Sequence, residues 1–512
     1  MVNQMLESGK LPPGFEVGKF KVSDKYDFQS ISVQLRKVVP PTQETQMVVQ
    51  FKELLGDEAA AKTAVDTLMA KRFELSWGWV EEYLVMSIGS DHAHVKLAAS
   101  GAESALSIPE VAARAALFAD KKPIGLTYSG KALFDAMNTP MELAKQFGEV
   151  TASLQGILNP EAIAGMTADV KSMEGKVQAL TKSVNSAQVG VTYLDGGIRM
   201  DALGGPRSAN AGPAKALALS SLATPTTALS IVSHDTSTNS GQTAAIVEEG
   251  AAMVFGWYEK YGRKMLPEDG QQGAAMAEAI AKPMIIDFWK SCRLLGKSFG
   301  DQSAMLIDLN GPMPQMPQVP AAFASGKIPR LALALDLKDR AALSESWKGF
   351  DKIVKQGIAL IPQGADPQAI PEPVMRKEGD VEIHYVDLPV KLGDLLPHIA
   401  ISKDKWILST SPSYSAELAK QGTTGSANQN IEMRADVGAM ASFADGWMKL
   451  AAANPGEFFQ GNASAAEEFQ KNKPMIDSAM SLFRSLKSAS LQVGEEAGKN
   501  HMTGAFLVED LK

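Results

Sequence analysis

The sequence predicts an α+β fold: two tandem repeats of mostly antiparallel sheet with helices packed on one face. Two observations predict it. Period-two apolar runs bounded by Gly, Asp and Asn alternate with long helical stretches throughout the 512 residues. The order of elements from about Thr45 to Leu203 also recurs from about Pro329 to Leu511.

Taken in order, Met47, Val49 and Phe51 alternate as a strand does, and Asp57 to Arg72 behind them reads as a helix. Leu331, Leu333 and Leu335 alternate likewise, followed by a helix over Lys338 to Gln356. A hairpin comes next in both halves. Phe73 to Trp77 leads through Val80-Glu-Glu to Tyr83–Met86, and Ile399-Ala-Ile401 leads through Lys403–Lys405 to Trp406–Leu408. Strand Pro123–Tyr128 with helix Lys131–Phe147 then corresponds to strand Ile431–Arg434 with helix Val437–Ala453. The closing units agree best. Helix Ala168–Val184 runs into Val189–Tyr193, turns at Asp195-Gly196-Gly197 and returns through Ile198, Met200 and Ala202. Helix Pro474–Leu486 runs into Leu491-Gln-Val493, turns over Glu495–Asn500 and returns through Met502, Gly504, Phe506 and Val508. An Asp-Gly-Gly turn supplies the positive φ angles of a tight hairpin.

These elements divide the chain into an N-terminal arm (1–42), a first α+β repeat (43–205) and a Gly/Pro/Ser/Asn-rich linker (206–216). An additional strand-helix segment (217–310) has no partner in the first half. It reads as strand Ala228–Val232, helices Gly241–Tyr261 and Gln271–Leu295, and strand Ser303–Leu309. A Pro-rich connector (311–328) leads to the second repeat (329–512). It opens with Gly311-Pro-Met-Pro-Gln-Met-Pro-Gln-Val-Pro320, and four prolines in ten residues favour an extended chain. A second Pro-rich loop, Ile361–Pro373, lies inside that repeat.

Composition excludes several function classes. The net charge is −8, with no basic stripe interleaved with aromatics, so nucleic-acid binding is not expected. No apolar run approaches the roughly 20 residues that span a bilayer. Cys292 is the only cysteine, which rules out disulfides within the chain and a thiolate metal cage. Met1–Lys10 lacks the basic start and apolar centre of a signal peptide. Lys10-Leu-Pro-Pro-Gly14 resembles a tether or cut point, which favours a chain beginning after a removed leader and an extracytoplasmic location, periplasmic or secreted.

No motif reaches the strength of the repeat. His234-Asp235-Thr236-Ser237-Thr238 follows an apolar strand, and Asp-Thr-Ser after a strand is the pattern of aspartic peptidases, where two carboxylates share a proton. A second equivalent motif is missing, so Asp235 is the catalytic candidate of an alternative reading only; an Asp that caps or turns the chain is the simpler one. Asp235, Ser237 and Asn239 also alternate as in a calcium loop, but Ser240 and Ile246 stand where that loop needs Gly and Glu. Gly296-Lys-Ser298-Phe-Gly300 spells a nucleophile elbow with helix before strand, the reverse of the required order; a helix C-cap explains it. Lys297-Ser298 lacks the first Gly of a phosphate loop. His92 and His94 alternate without a third ligand, Ser402-Lys-Asp-Lys405 falls in a hairpin turn, and Phe73, Trp77, Trp79 and Tyr83 suit cross-strand packing. Several methionines, Met433 and Met440 among them, sit at apolar positions, where they suit adaptable core packing or an adaptable binding surface. Neither a metal nor another cofactor is expected.

The element order, with patches such as Leu396-Pro-His-Ile-Ala-Ile-Ser-Lys-Asp-Lys-Trp-Ile-Leu-Ser-Thr410, resembles uncharacterised bacterial envelope or secreted proteins built from duplicated α+β units, a domain of unknown function. That resemblance implies an exported protein of unknown biochemical role. The expectation is a binding or scaffolding protein that meets a peptide, glycan or protein partner on the surface between two α+β lobes. The alternative is a hydrolase of the aspartic-peptidase type using Asp235.

Overall fold

A computed structural model describes residues 13–509 apart from 56–57, 82, 94, 99, 101–103, 138–144, 146, 149–158, 210, 212–213, 235–238, 264–265, 315, 317–318, 360–372, 388–391, 424 and 426–427. The fold is α+β, with every paired strand antiparallel to its neighbour among these residues. The chain divides into two compact units, Met1–Ala112 with Ala144–Ile163, and Ala113–Leu143 with Ala164–Lys512.

The smaller unit is built on a sheet of order β1-β2-β3-β4. Strands β1 (Phe15–Ser23) and β2 (Tyr26–Gln34) form a hairpin within the region expected to be an arm. Helices α1 (Pro41–Leu55) and α2 (Glu58–Met69) then lead to β3 (Arg72–Val80) and β4 (Tyr83–Gly89). The strand expected at Met47–Phe51 is instead part of α1. Pro41 opens the helix where a missing N–H costs nothing, and the half-buried Met47, Val48 and Phe51 share a helical face while Val49 is exposed. On α2, Ala61, Val65 and Met69 are buried at the i, i+4, i+8 spacing of one helical stripe.

The larger unit begins at the end of α3 (Pro109–Ala116) and continues through β5 (Lys122–Ser129), α4 (Lys131–Met137) and α5 (Pro160–Thr181) to the hairpin β6 (Ser183–Leu194) and β7 (Gly197–Ser208). The expected Asp195-Gly196-Gly197 turn is present, with φ of +63° at Gly196 and +149° at Gly197. A two-residue strand β8 (Lys215–Ala216) precedes β9 (Thr227–His234), helices α6 (Asn239–Trp257) and α7 (Glu268–Ser298), and the long pair β10 (Phe299–Pro312) and β11 (Lys327–Leu337). Then come α8 (Arg340–Ala359), β12 (Pro373–Glu378), β13 (Val381–Val386), β14 (His398–Ile401), β15 (Lys405–Ser409) and α9 (Pro412–Lys420). The chain closes with β16 (Asn428–Asp436), α10 (Val437–Ala453), α11 (Ala463–Ser485), β17 (Leu486–Glu496) and β18 (Lys499–Val508). The Pro-rich loop at 361–373 lies almost wholly outside the described residues.

These strands form one 14-stranded sheet, ordered β12-β13-β14-β15-β11-β10-β9-β16-β17-β18-β7-β6-β5 with β8 beside β16. The two closing hairpins therefore meet edge to edge: β7 pairs with β18 from Leu203↔His501 to Gly197↔Leu507. The boundary expected at 205–206 falls inside β7, because Gly205, Pro206 and Arg207 still pair with β6.

The main core lies on one face of β9, β10, β11, β13, β14 and β15. Val232, Ala304, Leu306, Ala332, Ala334, Ile383, Ala400 and Ile407 pack there with Leu217, Leu219 and Leu222, under Tyr414 and Leu418 of α9. Helix α9 starts at Pro412, with the Ser411 hydroxyl accepting from the Tyr414 N–H. Helices do not keep to one face, as the pattern suggested. Helix α9 covers the core face, whereas Leu343 and Trp347 of α8 line a cavity with Ile399 and Ile401, which point the other way.

Candidate functional site

The residues nominated from sequence do not converge. Asp235, Thr236, Ser237 and Thr238 lie outside the described residues, as does His94. His92 sits in a bend after β4 instead of on a strand. Its Nδ1 is 2.7 Å from Glu74 Oε1 and its ring stacks on Phe20 at 3.9 Å, so it belongs to a local polar cluster. Ser298 is fully buried at the end of α7, and its hydroxyl donates to the Leu294 carbonyl at 2.7 Å, which leaves no exposed nucleophile. In the β14–β15 turn, Ser402 Oγ accepts from the Lys405 N–H at 3.1 Å. The buried Lys405 ammonium donates to Asp404 at 3.2 Å and to the Gln421 carbonyl at 2.9 Å. Cys292 is half-buried, and burial pushes its thiol up, away from the reactive thiolate.

His234 marks where β9 ends, immediately before Asp235, and here the structure builds a polar cluster. Between Phe299↔Leu337 and Ser303↔Leu335 three residues of β10, Gly300, Asp301 and Gln302, oppose Asp336 alone. Such a bulge bends a strand and re-aims its side chains. A Cβ at position 300 would overlap the Asp336 side chain, so any larger residue there would force that side chain to move. Asp301 Oδ2 accepts from Lys215 at 2.7 Å, and its Oδ1 lies 3.6 Å from His234 Nδ1. Burial alone would raise the Asp301 carboxyl, but Lys215, His234 and Lys338 outweigh it and hold it below the usual range. Burial lifts the Asp336 carboxyl above that range, with Asp301 and Asp404 adding to the effect and Lys338 opposing it. The two carboxyls are thus shifted in opposite directions. Among the described residues no group of three or more His, Cys, Asp or Glu is arranged to hold a metal.

The second feature is an uncovered apolar face. Opposite the core, Met433, Ile231, Met305, Leu333, Leu408 and Ile399 stand in cross-strand register along one row over β16, β9, β10, β11, β15 and β14. Leu331, Leu335 and Ile307 extend the row to either side. Met305 is 42%, Leu333 37%, Leu408 44% and Leu331 47% exposed, whereas their neighbours Ala304, Leu306, Ala332 and Ile407 are buried. Ile231, Met433 and Ile399, toward the ends of the row, are half-buried. At one end lies the cavity of about 310 Å³ between α8 and β13–β14, with Trp347, Arg340 and His384 at its rim. A second cavity, of about 440 Å³, lies beside α10 where β9, β10 and β11 begin or end, and is lined by Leu309, Trp447 and Phe443 among others. The smaller unit carries a patch of the same kind. Trp79 stands opposite Leu84, Trp77 opposite Met86 and Leu75 opposite Ile88 in the β3–β4 register, and Trp79, Leu84, Met86 and Ile88 are exposed.

Two buried ion clusters have no local sequence signal. In one, Arg114 Nε donates to Asp201 at 2.7 Å, Nη1 to Glu496 at 2.8 Å, and Nη2 faces His501 Nε2 at 2.9 Å. His501 Nε2 also lies 2.9 Å from Asp201 Oδ2. Burial opposes the Arg114 charge, but Glu496 and Asp201 more than compensate and raise the guanidinium still further. In the other, the fully buried Asp308 accepts from Arg330 Nε at 2.8 Å and from Thr226, while the Arg330 guanidinium lies 4.4 Å over the Tyr414 ring. Burial raises the Tyr414 phenol well above its usual value. Both clusters join residues far apart in the chain, 87 positions for Arg114 and Asp201. No described helix is long and apolar enough to cross a membrane. No protein family, curated protein or solved structure compared with this chain matches it.

Proposed function

We propose that this chain is an extracytoplasmic binding or scaffolding protein, periplasmic or secreted, that seats a peptide, glycan or protein partner. The observation that supports the reading is the apolar row Ile231–Met305–Leu333–Leu408, exposed at Met305, Leu333 and Leu408, with a cavity at its Ile399 end. Large apolar areas left on a folded surface mark interaction sites more often than accidents of packing. A duplicated origin fits the same reading. The units from β5 to β7 and from β16 to β18 each run strand, helices, hairpin, and they pair through β7 and β18. Screening peptide and glycan libraries against the purified chain tests the proposal. Leu333→Asp should abolish binding of a selected peptide without lowering the unfolding temperature. Libraries that yield no ligand, or a ligand indifferent to position 333, would refute it.

The hydrolase alternative, a peptidase using Asp235, keeps one point in its favour: His234, the residue before it, lies 3.6 Å from the Asp301 carboxylate. Asp235→Asn decides it, because peptide hydrolysis that survives the substitution removes Asp235 from catalysis.

A further inference from the structure

We infer that the cavity beside α10 is a binding site for a neutral saccharide, a deepening of the binding-protein reading on which it rests. Its wall chemistry narrows the ligand by elimination. Among the described residues no carboxylate lines it, which disfavours a cation, and Lys327 is the one cationic lining group, which is too little to select a polyanion. Thr226 and Ser442 add hydroxyl oxygens, whose protons go to Asp308 and to the Gly438 carbonyl, and Asn310 adds an amide, so the lining offers polar groups beside its apolar ones. Trp447 and Phe443 supply aromatic surface. A pyranose satisfies both demands, having one face of C–H groups and a rim of hydroxyls. The volume of about 440 Å³ is within the range of small-ligand sites.

The aromatic wall is held in place before any ligand arrives. The Trp447 indole N–H donates to the Lys327 carbonyl at 2.8 Å, and its Cη2 lies where a Cβ at Gly326 would approach to 3.0 Å. Phe323 and Phe458 brace the ring, with centroids 6.2 and 6.5 Å away. The polar wall is fixed as well. The Thr226 hydroxyl gives its proton to the buried Asp308 carboxylate and lies 3.0 Å from the Thr224 hydroxyl, which fixes its orientation and leaves it to act toward a ligand as an acceptor only. Arg330 pairs with Asp308, so the carboxylate that holds Thr226 is itself neutralised and Lys327 is the charge among the described lining residues. Rigid aromatic surface beside pre-oriented neutral polar groups reduces the ordering cost of binding a flexible, well-hydrated ligand.

The test is calorimetric titration and saturation-transfer NMR of the full chain with cellobiose, maltose, lactose and chitobiose. At least one should bind at millimolar concentration. Trp447→Ala should weaken binding by about tenfold and Trp447→Phe by less, as expected for loss of a stacking surface. Ser442→Arg, at an exposed helix position, should block the cavity without unfolding the chain, and guards against a Trp447 variant that fails to fold. Binding of none of the four sugars, or binding unchanged by Ser442→Arg, overturns the inference. If a peptide ligand of the open sheet face is found at the same time, the inference falls alone; if no ligand of either kind is found, the binding-protein reading falls with it.

Discussion

Replacing Arg114 with Met should produce the largest loss of stability of any single charge removal in the seam between β7 and β18. Its three partners are not equal. The Glu496 side chain is 42% exposed, and exposed pairs contribute about 0–1 kcal/mol. Asp201 is 10% exposed and Arg114 5%, so the Arg114–Asp201 bond is the one made away from water. Removing Arg114 leaves a buried carboxylate with His501 alone, and breaking a buried pair from one side costs about 3–5 kcal/mol. Glu496→Gln should cost under about 1 kcal/mol. The double substitution Arg114→Met with Asp201→Leu should recover more than half of the loss, because no charge is then stranded. Urea unfolding at neutral pH, followed by circular dichroism and by hydrogen exchange of the β7 and β18 amides, measures all three. The reasoning is refuted if Arg114→Met costs no more than Glu496→Gln, or if the double variant is less stable than the single one.

Further expectations follow from single sites. Gly300→Ala should destabilise by about 1–3 kcal/mol through overlap with Asp336, and Asp336→Ala should restore most of it; a loss without rescue would mean that the bulge itself rejects alanine. Leu306→Ala, in the core, should cost about 2–5 kcal/mol, but Met305→Ala on the open face under about 1 kcal/mol. Equal losses in chemical denaturation would show that the face is covered. His398 is buried, and burial holds its imidazole below the ordinary value of 6.5, while its ring bonds to the Leu396 carbonyl and the Ser415 hydroxyl. The unfolded chain therefore binds more protons there than the folded one. Stability from this site is full above 6.5 and declines as pH falls through the depressed folded value. Urea midpoints across that interval should fall in the parent and fall less in His398→Gln; parallel curves would exclude His398 as the cause.

Local pattern carried most of the strands and very little of the chemistry. Helix α10 has the limits expected from its sequence, and the Gly196-Gly197 turn follows from residue type alone. The β1–β2 hairpin escaped because Gly18 interrupts its alternation and its register slips between Lys21 and Ser23. Helix α1 was misread because Met47 and Phe51 are two residues apart from Val49, yet also four apart from each other, so the same residues satisfy a helical period. Gly379-Asp380 between Glu378 and Val381 is a readable turn that marks β12–β13. No pattern within a window could join Asp201 to His501 across 300 positions; that contact exists because β7 pairs with β18. Likewise Met305 and Leu333 read as ordinary strand residues, and their exposure depends on which helices arrive above them.

The seam between β7 and β18 also changes what a cut in the chain would mean. Cleavage in the 206–216 stretch would yield two pieces, each ending the shared sheet on a long bare strand, one keeping Asp201 and the other His501 and Glu496. Each piece would carry the mould of the other. A nicked chain would remain a single particle held by backbone pairing, and fragments produced separately would be drawn to reassemble, or to recruit the wrong copy in its place.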